Sequence, residues 1–324
     1  MKRLISTALS SAITIITIAC HSTVHAQQSF PERPITAIVP FSAGGGNDIL
    51  LRLVAKYAND ALGQTIVVDN KPGAGGQIGW TSLAKAKPDG YTIGATSFPS
   101  MVLIKALRPS TPYEISDFAY ICNIQVDPII WVVNADSPFK TAQDFVKAAA
   151  SSQQPLNVGG DGPQSNVQLQ HLAATQALGI ETNFVPFNGS SAALTSLLGG
   201  NLDMAATTLS AATSQIKAGK VRPLLVFSEK AVESLPGVPT ATEALGKPVA
   251  PIGMAVRGIA APKDVPTERL KKLESACQQI VQSKEFQDET QRMGLMIQYM
   301  DSQQATQAVE DSVQAIEKLK GLMQ

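Results

Sequence analysis

Four times in this sequence a short β-branched run empties into a small-residue loop that opens a helical pattern. That repeat constrains the fold more than any other feature. Ser42-Ala43-Gly44-Gly45-Gly46-Asn47-Asp48 follows the run at 35–39, and Pro72-Gly73-Ala74-Gly75-Gly76 follows 65–68. Gly159-Gly160-Asp161-Gly162, with Ser165-Asn166, follows 156–158, and Asn188-Gly189-Ser190-Ser191 follows a run ending at Val185. Strand, loop and helix in this order are the signature of parallel sheets crossed by helices. A further strand at 91–95 ends at Thr96-Ser97, and the runs at 129–133 and 224–227 add to a second set. The last sixty or so residues read as two long helices, 267–282 and 303–322, around a short helix and a strand. The expectation is an α/β chain of two units, with the tail returning to the first.

In such sheets the carboxyl ends of the strands share one edge, where ligands bind. Helix N-termini at that edge offer unpaired N–H groups and a partial positive charge, which suit an anion. Taken singly, each loop reads equally well as a tight turn with a cap, Asp48 and Ser165 serving as N-cap or first-turn residues. Four of them in one two-unit chain turn the reading toward an anion site.

Nucleotide enzymes use similar glycines, but the first loop lacks a Gly-Lys-Ser/Thr ending, and Ile49 stands where a dinucleotide fingerprint needs its third glycine. Gly-x-Ser-x-Gly, His-Glu-x-x-His and Cys-x-x-Cys are all missing from the sequence. Three histidines and three cysteines starve most metal and acid–base chemistries, and a formal net charge of zero does not advertise nucleic-acid binding. No metal and no cofactor are expected. Trp80 and Trp131 lie outside the glycine loops, which argues against a sugar cleft. The loops hold no arginine and only Lys71 as a cation, so backbone N–H groups, hydroxyls and bridging water are left to hold a small carboxylate.

The amino terminus places the chain. Met1-Lys2-Arg3, an apolar stretch to Ala19 and Val24-His25-Ala26 read as a secretory signal peptide over 1–26, cleaved near Ala26. Cleavage removes two of the three histidines and leaves His171, which falls in a helical pattern and reads as exposed or capping. The stretch is short for a membrane span. A lipoprotein anchored at Cys20 is the lesser alternative, because Thr17 is a poor residue three positions before a lipidated cysteine. Export frames Cys122 and Cys277 as either a disulfide or two buried small apolar residues.

The residues also carry a family resemblance. Pro40-Phe41-Ser42-Ala43-Gly44-Gly45-Gly46-Asn47-Asp48, Val68-Asp69-Asn70-Lys71-Pro72-Gly73-Ala74-Gly75-Gly76 and Pro88-Asp89-Gly90-Tyr91-Thr92 resemble the amino-terminal signature of the Bug proteins, periplasmic solute receptors of tripartite tricarboxylate transporters. Val185-Pro186-Phe187-Asn188-Gly189, Leu198-Gly199-Gly200-Asn201-Leu202-Asp203 and Pro236-Gly237-Val238-Pro239-Thr240 continue it in order. The resemblance implies a type II periplasmic-binding-protein (Venus flytrap) clamshell, each domain a mainly parallel sheet flanked by helices, closing on one carboxylated solute. Domain 1 would comprise 27–126 plus 250–324, and domain 2 would comprise 127–249. The family's Gly-Ser-x-x-His-Leu segment falls on Gln164-Ser165-Asn166-Val167-Gln168-Leu169, with Gln164 in place of glycine, Gln168 in place of histidine and His171 three residues off register. Phe187 stands where the family usually has tyrosine.

The expected contacts in domain 1 are Phe41, Gly44, Asn47, Asp48, Gly73, Ala74, Thr96 and Ser97. Domain 2 would add Gly160, Ser165, Asn166, Asn188 and Asp203. Asp48 is expected to fix its loop as a cap, and Asp203 to meet a ligand hydroxyl or amine. The function implied is an extracytoplasmic receptor that takes a di- or tricarboxylate, an aromatic acid or an acidic amino acid to integral-membrane permease subunits, as a periplasmic monomer without nucleic-acid partners. A ligand-presenting sensor partner is one alternative. An exported hydrolase or lyase is the other, opposed by the lack of a nucleophile–base pair.

Overall fold

The computed structural model describes residues 30–319 and residue 321. The expected signal peptide and Cys20 lie outside the described residues. The chain begins β1 (Ile35–Val39), α1 (Gly46–Leu62), β2 (Ile66–Asn70), α2 (Gln77–Ala84), β3 (Thr92–Phe98), α3 (Ser100–Leu107) and β4 (Phe118–Asp127). It continues β5 (Ile129–Asn134), α4 (Ala142–Ser151), β6 (Leu156–Asp161), α5 (Asn166–Leu178), β7 (Thr182–Phe187), α6 (Ser190–Leu198), β8 (Met204–Thr208), α7 (Leu209–Lys217) and β9 (Val221–Phe227). It closes with α8 (Ala241–Leu245), β10 (Ala255–Pro262), α9 (Thr267–Gln282), α10 (Lys284–Met293), β11 (Met296–Met300) and α11 (Ser302–Leu319).

Local chemistry explains the helix bounds. In α1, Leu50, Leu51, Leu53, Val54 and Ala58 fall on one face and are buried against the first sheet. The helix stops at Gly63, whose φ of 68° lets its N–H close on the Asn59 carbonyl at 2.8 Å. Thr141 with Asp144 and Thr240 with Glu243 form capping boxes that start α4 and α8.

The strands form two sheets, ordered β11-β4-β10-β3-β1-β2 and β7-β6-β8-β5-β9. Apolar side chains cover both faces of each. The sheets are mixed, which corrects the expectation of mainly parallel ones. β2, β1 and β3 are parallel, as are β7, β6 and β8, but β10 lies antiparallel between β3 and β4, and β5 antiparallel between β8 and β9. The reason is the path of the chain. β4 and β9 carry it out of one sheet toward the other, while β5 and β10 carry it inward and so run against the strands beside them. This arrangement aims the carboxyl edges of β1–β3 and of β6–β8 at each other.

Cys122 of β4 and Cys277 of α9 are joined by a disulfide, and both are buried. The alternative left open by the sequence resolves to a bridge that ties a helix to the central region of the first sheet.

Candidate functional site

The site is built where the two carboxyl edges meet. After β1 the loop is fixed by Asp48, which is buried at the start of α1. Its carboxylate accepts from Gly44 N–H at 2.8 Å, Arg52 Nε at 2.9 Å and Asn70 Nδ2 at 2.9 Å. Burial pulls its pKa up, but the hydrogen bonds from Arg52, Gly44 and Asn70 together outweigh burial and hold it below the ordinary carboxylate value. Gly45, the N-cap of α1, offers no side chain to the helix, so the first-turn N–H groups of α1 are left without a side-chain cap at this edge.

Loops from the two sheets meet directly. Asn188 O accepts from both Ser42 N–H (3.0 Å) and Ser42 Oγ (2.9 Å), and Ser191 Oγ donates to Ala43 O at 2.8 Å. Ser100 Oγ donates to Asn166 Oδ1 at 2.7 Å and accepts from Asn166 N–H, while Asn166 Nδ2 donates to Gly253 O. Backbone also lies against backbone here: a Cβ at Gly162 would lie 2.7 Å from the main chain of Gly75. Arg108, just past α3, spans the same seam. It donates to Ala74 O and Gln77 Oε1 on one side, and to Pro163 O and Gln164 Oε1 on the other.

Behind these loops lies a buried polar cluster. Arg257 on β10 sits opposite Ser97 of β3 and is 3% exposed. It forms an ion pair with Asp127, at the end of β4, which also accepts from the N–H and Oγ of Ser210 at the start of α7. The guanidinium lies against Gly46, where any side chain would collide with it. Among the described residues, Asn47 Oδ1, Thr96 Oγ1, Thr208 Oγ1 and Arg257 Nε are buried without a hydrogen-bond partner. Asp161, at the end of β6, is 6% exposed and accepts from Ser190 Oγ at 2.6 Å. Burial pushes its carboxyl up to about 6, against the opposing pull of Ser190 and Arg257. No three His, Cys, Asp or Glu side chains among the described residues stand together as a metal site.

The residues expected from the sequence divide accordingly. Gly44, Asn47, Asp48, Thr96, Ser97, Asn166 and the Asn188 carbonyl come together at the meeting edges, and Gly73 and Ala74 lie in the loop held by Arg108. Ser165 is buried and caps α5, its Oγ accepting from Gln168 N–H at 3.2 Å. The Phe41 side chain packs edge-on to Trp80 in the core, leaving only its carbonyl for the loop. Gly160 is a packing position, where a Cβ would strike Phe184. Asp203 is not part of the cluster. It precedes β8 at the opposite edge of the sheet, accepting from Asn157 N–H at 2.7 Å, because β6 and β8 run parallel and both begin there.

His171 is fully buried, contrary to the expectation of an exposed or capping residue. Its Nε2 is 2.8 Å from Thr182 Oγ1, its ring packs on Trp131 and Phe184, and burial depresses its pKa to about 3. The misreading has a physical cause. α5 is buried on two sides: His171 faces the second sheet at Trp131 and Phe184, while Gln170 faces the segment returning to β10, where Gly253 N–H donates to Gln170 Oε1 and Gln170 Nε2 donates to Ala250 O.

Arg257, Arg108, Asp127 and Asp161 were missed as site residues. The two arginines lie outside the glycine loops, on a strand and beyond a helix end, and only tertiary pairing brings them in. Asp161 carried a signal, since it stands in the third loop. Gln164 carried another: its φ of 62° is a left-handed conformation in which the family's glycine is unstrained.

Two helix-flanked mixed sheets joined by crossing strands, with loop-bearing edges facing each other, define a two-lobed receptor fold of the periplasmic-binding-protein class. A solved structure titled periplasmic binding protein BugD superposes with a TM-score of 0.84, 29% identity, and coverage of 90% of this chain and 98% of that one. R. palustris Rpa4515 with adipate gives 0.85 at 26% identity, covering 91% and 98%. A curated relative, the UPF0065 protein in the gbd 5′ region of Cupriavidus necator, is 31% identical over 294 residues, 90% of this chain and 88% of its own. The family model described as "Tripartite tricarboxylate transporter family receptor" matches residues 50–322, and the chain belongs to that family.

Proposed function

We propose that this chain captures a small carboxylate between its two units and delivers it to integral-membrane permease subunits. The observation that carries the reading is the meeting of four loops around buried polar atoms, with the side-chain-uncapped start of α1 among them. Uncapped N–H groups at a helix start favour an anion. The adipate held by a related structure supports a carboxylate as that anion.

The contacts proposed from the first unit are Gly44, Asn47, Asp48, Gly73, Ala74, Thr96 and Ser97, with Asp48 acting through its loop. Asn166 and Asn188 come from the second. Ser165 acts as the cap that orients α5. The domain division at 127 and 249 is supported by the strand ends, since β4 closes at Asp127 and β10 opens at Ala255. Family membership supports a periplasmic location, and the reading keeps the leader over 1–26 and a monomeric receptor. Binding without turnover fits the site, whose two buried serine–carboxylate pairs, Ser190–Asp161 and Ser210–Asp127, include no histidine base.

Mass spectrometry of small molecules released from protein purified under native conditions tests this directly. An organic acid at one per chain is expected. A sugar or a metal ion in its place, or conversion of the bound acid on incubation, overturns the reading.

A further inference from the structure

The charge arithmetic of the buried cluster is lopsided. Arg257 is paired with Asp127, which leaves Asp161 as a buried carboxylate with a hydroxyl for its hydrogen-bond donor. The charged groups that face Asp161 are those two, and they neutralise each other. Only one of its oxygens, Oδ1, accepts a hydrogen bond among the described residues. Thr208, at the neighbouring strand end, donates its N–H to Ser190 Oγ at 3.4 Å, while its own Oγ1 is buried and unpartnered. Ser190 Oγ thus joins the Asp161 carboxylate to the Thr208 backbone, and the two residues linked in this way offer a carboxylate oxygen and a hydroxyl oxygen with acceptor capacity to spare. A ligand ammonium, with three donors and no acceptor, complements that pair, whereas a second ligand carboxylate would bring another anion beside Asp161, where the guanidinium of Arg257 is already paired with Asp127.

We propose that Asp161, with Thr208, forms an amine subsite, so that the solute of this receptor is an amino-bearing carboxylate and not a plain dicarboxylate. The inference rests on the carboxylate-receptor reading and names the substrate class within it. One rival must be met: a protonated Asp161 could donate to a second ligand carboxylate. The two schemes have opposite pH signs. An ammonium binds the ionised form, so affinity rises as pH passes upward through about 6, and a shared proton reverses this.

The experiment is titration of the full mature chain with L-aspartate and L-glutamate against succinate, glutarate and adipate, between pH 5 and pH 7. The expected result is preference for the amino acids, roughly tenfold tighter binding at pH 7 than at pH 5, and proton release on binding when two buffers of different ionisation enthalpy are compared. Asp161→Asn is expected to abolish both the preference and the pH dependence. Affinity for a dicarboxylate that equals or exceeds that for the amino acids, or that rises toward pH 5, overturns the inference and leaves the receptor reading standing. The wild-type pH profile decides even if Asp161→Asn fails to fold. Silence toward every carboxylate overturns both.

Discussion

Two buried titratable side chains set opposite pH signatures. The folded-state pKa of His171, about 3, lies below its ordinary 6.5, so the unfolded chain binds the extra proton. Its contribution to stability is complete above pH 6.5 and is lost as pH falls. Asp161 is raised from 3.8 to about 6, so the folded chain binds the extra proton and gains stability as pH falls from 6 toward 4. Each slope is at most about 1.4 kcal/mol per pH unit, and across pH 6 to 4 they largely cancel. Asp161→Asn removes one side of the balance. Urea unfolding of that variant should lose stability more steeply between pH 6 and 4 than the wild type does, because the opposing contribution of Asp161 is gone; equal slopes would contradict the burial of Asp161. At this scale legibility followed sequence distance. The capping roles of Asp48 and Ser165 show in the sequence because their partners, Gly44 and Gln168, lie within four residues. His171 was misread because its burial depends on tertiary packing against Trp131 and Phe184 of the second sheet, which no local pattern announces.

Among the elements, the first-sheet core is held by a covalent link as well as by packing. The Cys122–Cys277 bridge closes a span of 155 residues between β4 and α9. A cross-link over so long a loop stabilises by about 2–5 kcal/mol, chiefly by restricting the unfolded chain. A Cys122→Ala/Cys277→Ala double variant should therefore lower the urea midpoint without altering ligand affinity at temperatures where it remains folded. An unchanged midpoint would show the bridge to be energetically idle. The helices and parallel strands next to glycine loops were readable because propensity, periodicity and turn residues agree there. β4 and β10 were not assigned. Both lie in the antiparallel half of the first sheet, where their register depends on each other and on β3, and no local turn signal announces that pairing. Arg257 went unread with the strand that carries it.

For the whole molecule, the proposed function makes the seam between the two sheets' loops the place to test. Gly162 and Gly75 touch through backbone alone, and no side chain fits between them. Gly162→Ala should leave each sheet folded, since the clash is confined to the seam. It should weaken carboxylate binding at least tenfold by holding the loops apart, and Arg108→Ala should weaken it in the same direction by removing the hydrogen bonds that cross there. Circular dichroism verifies the folding and a binding titration reads the effect. Unchanged affinity in both variants would mean that the seam is not part of closure. The central claim, that the meeting edges hold a small carboxylate, is tested most directly by titration calorimetry of ligand-stripped protein with a panel of amino-bearing, aliphatic and aromatic acids. Saturable one-to-one binding of at least one acid, lost when sugars or metal salts are supplied instead, is the expected result. Heat from a sugar or a metal ion, with none from any acid, would contradict the account.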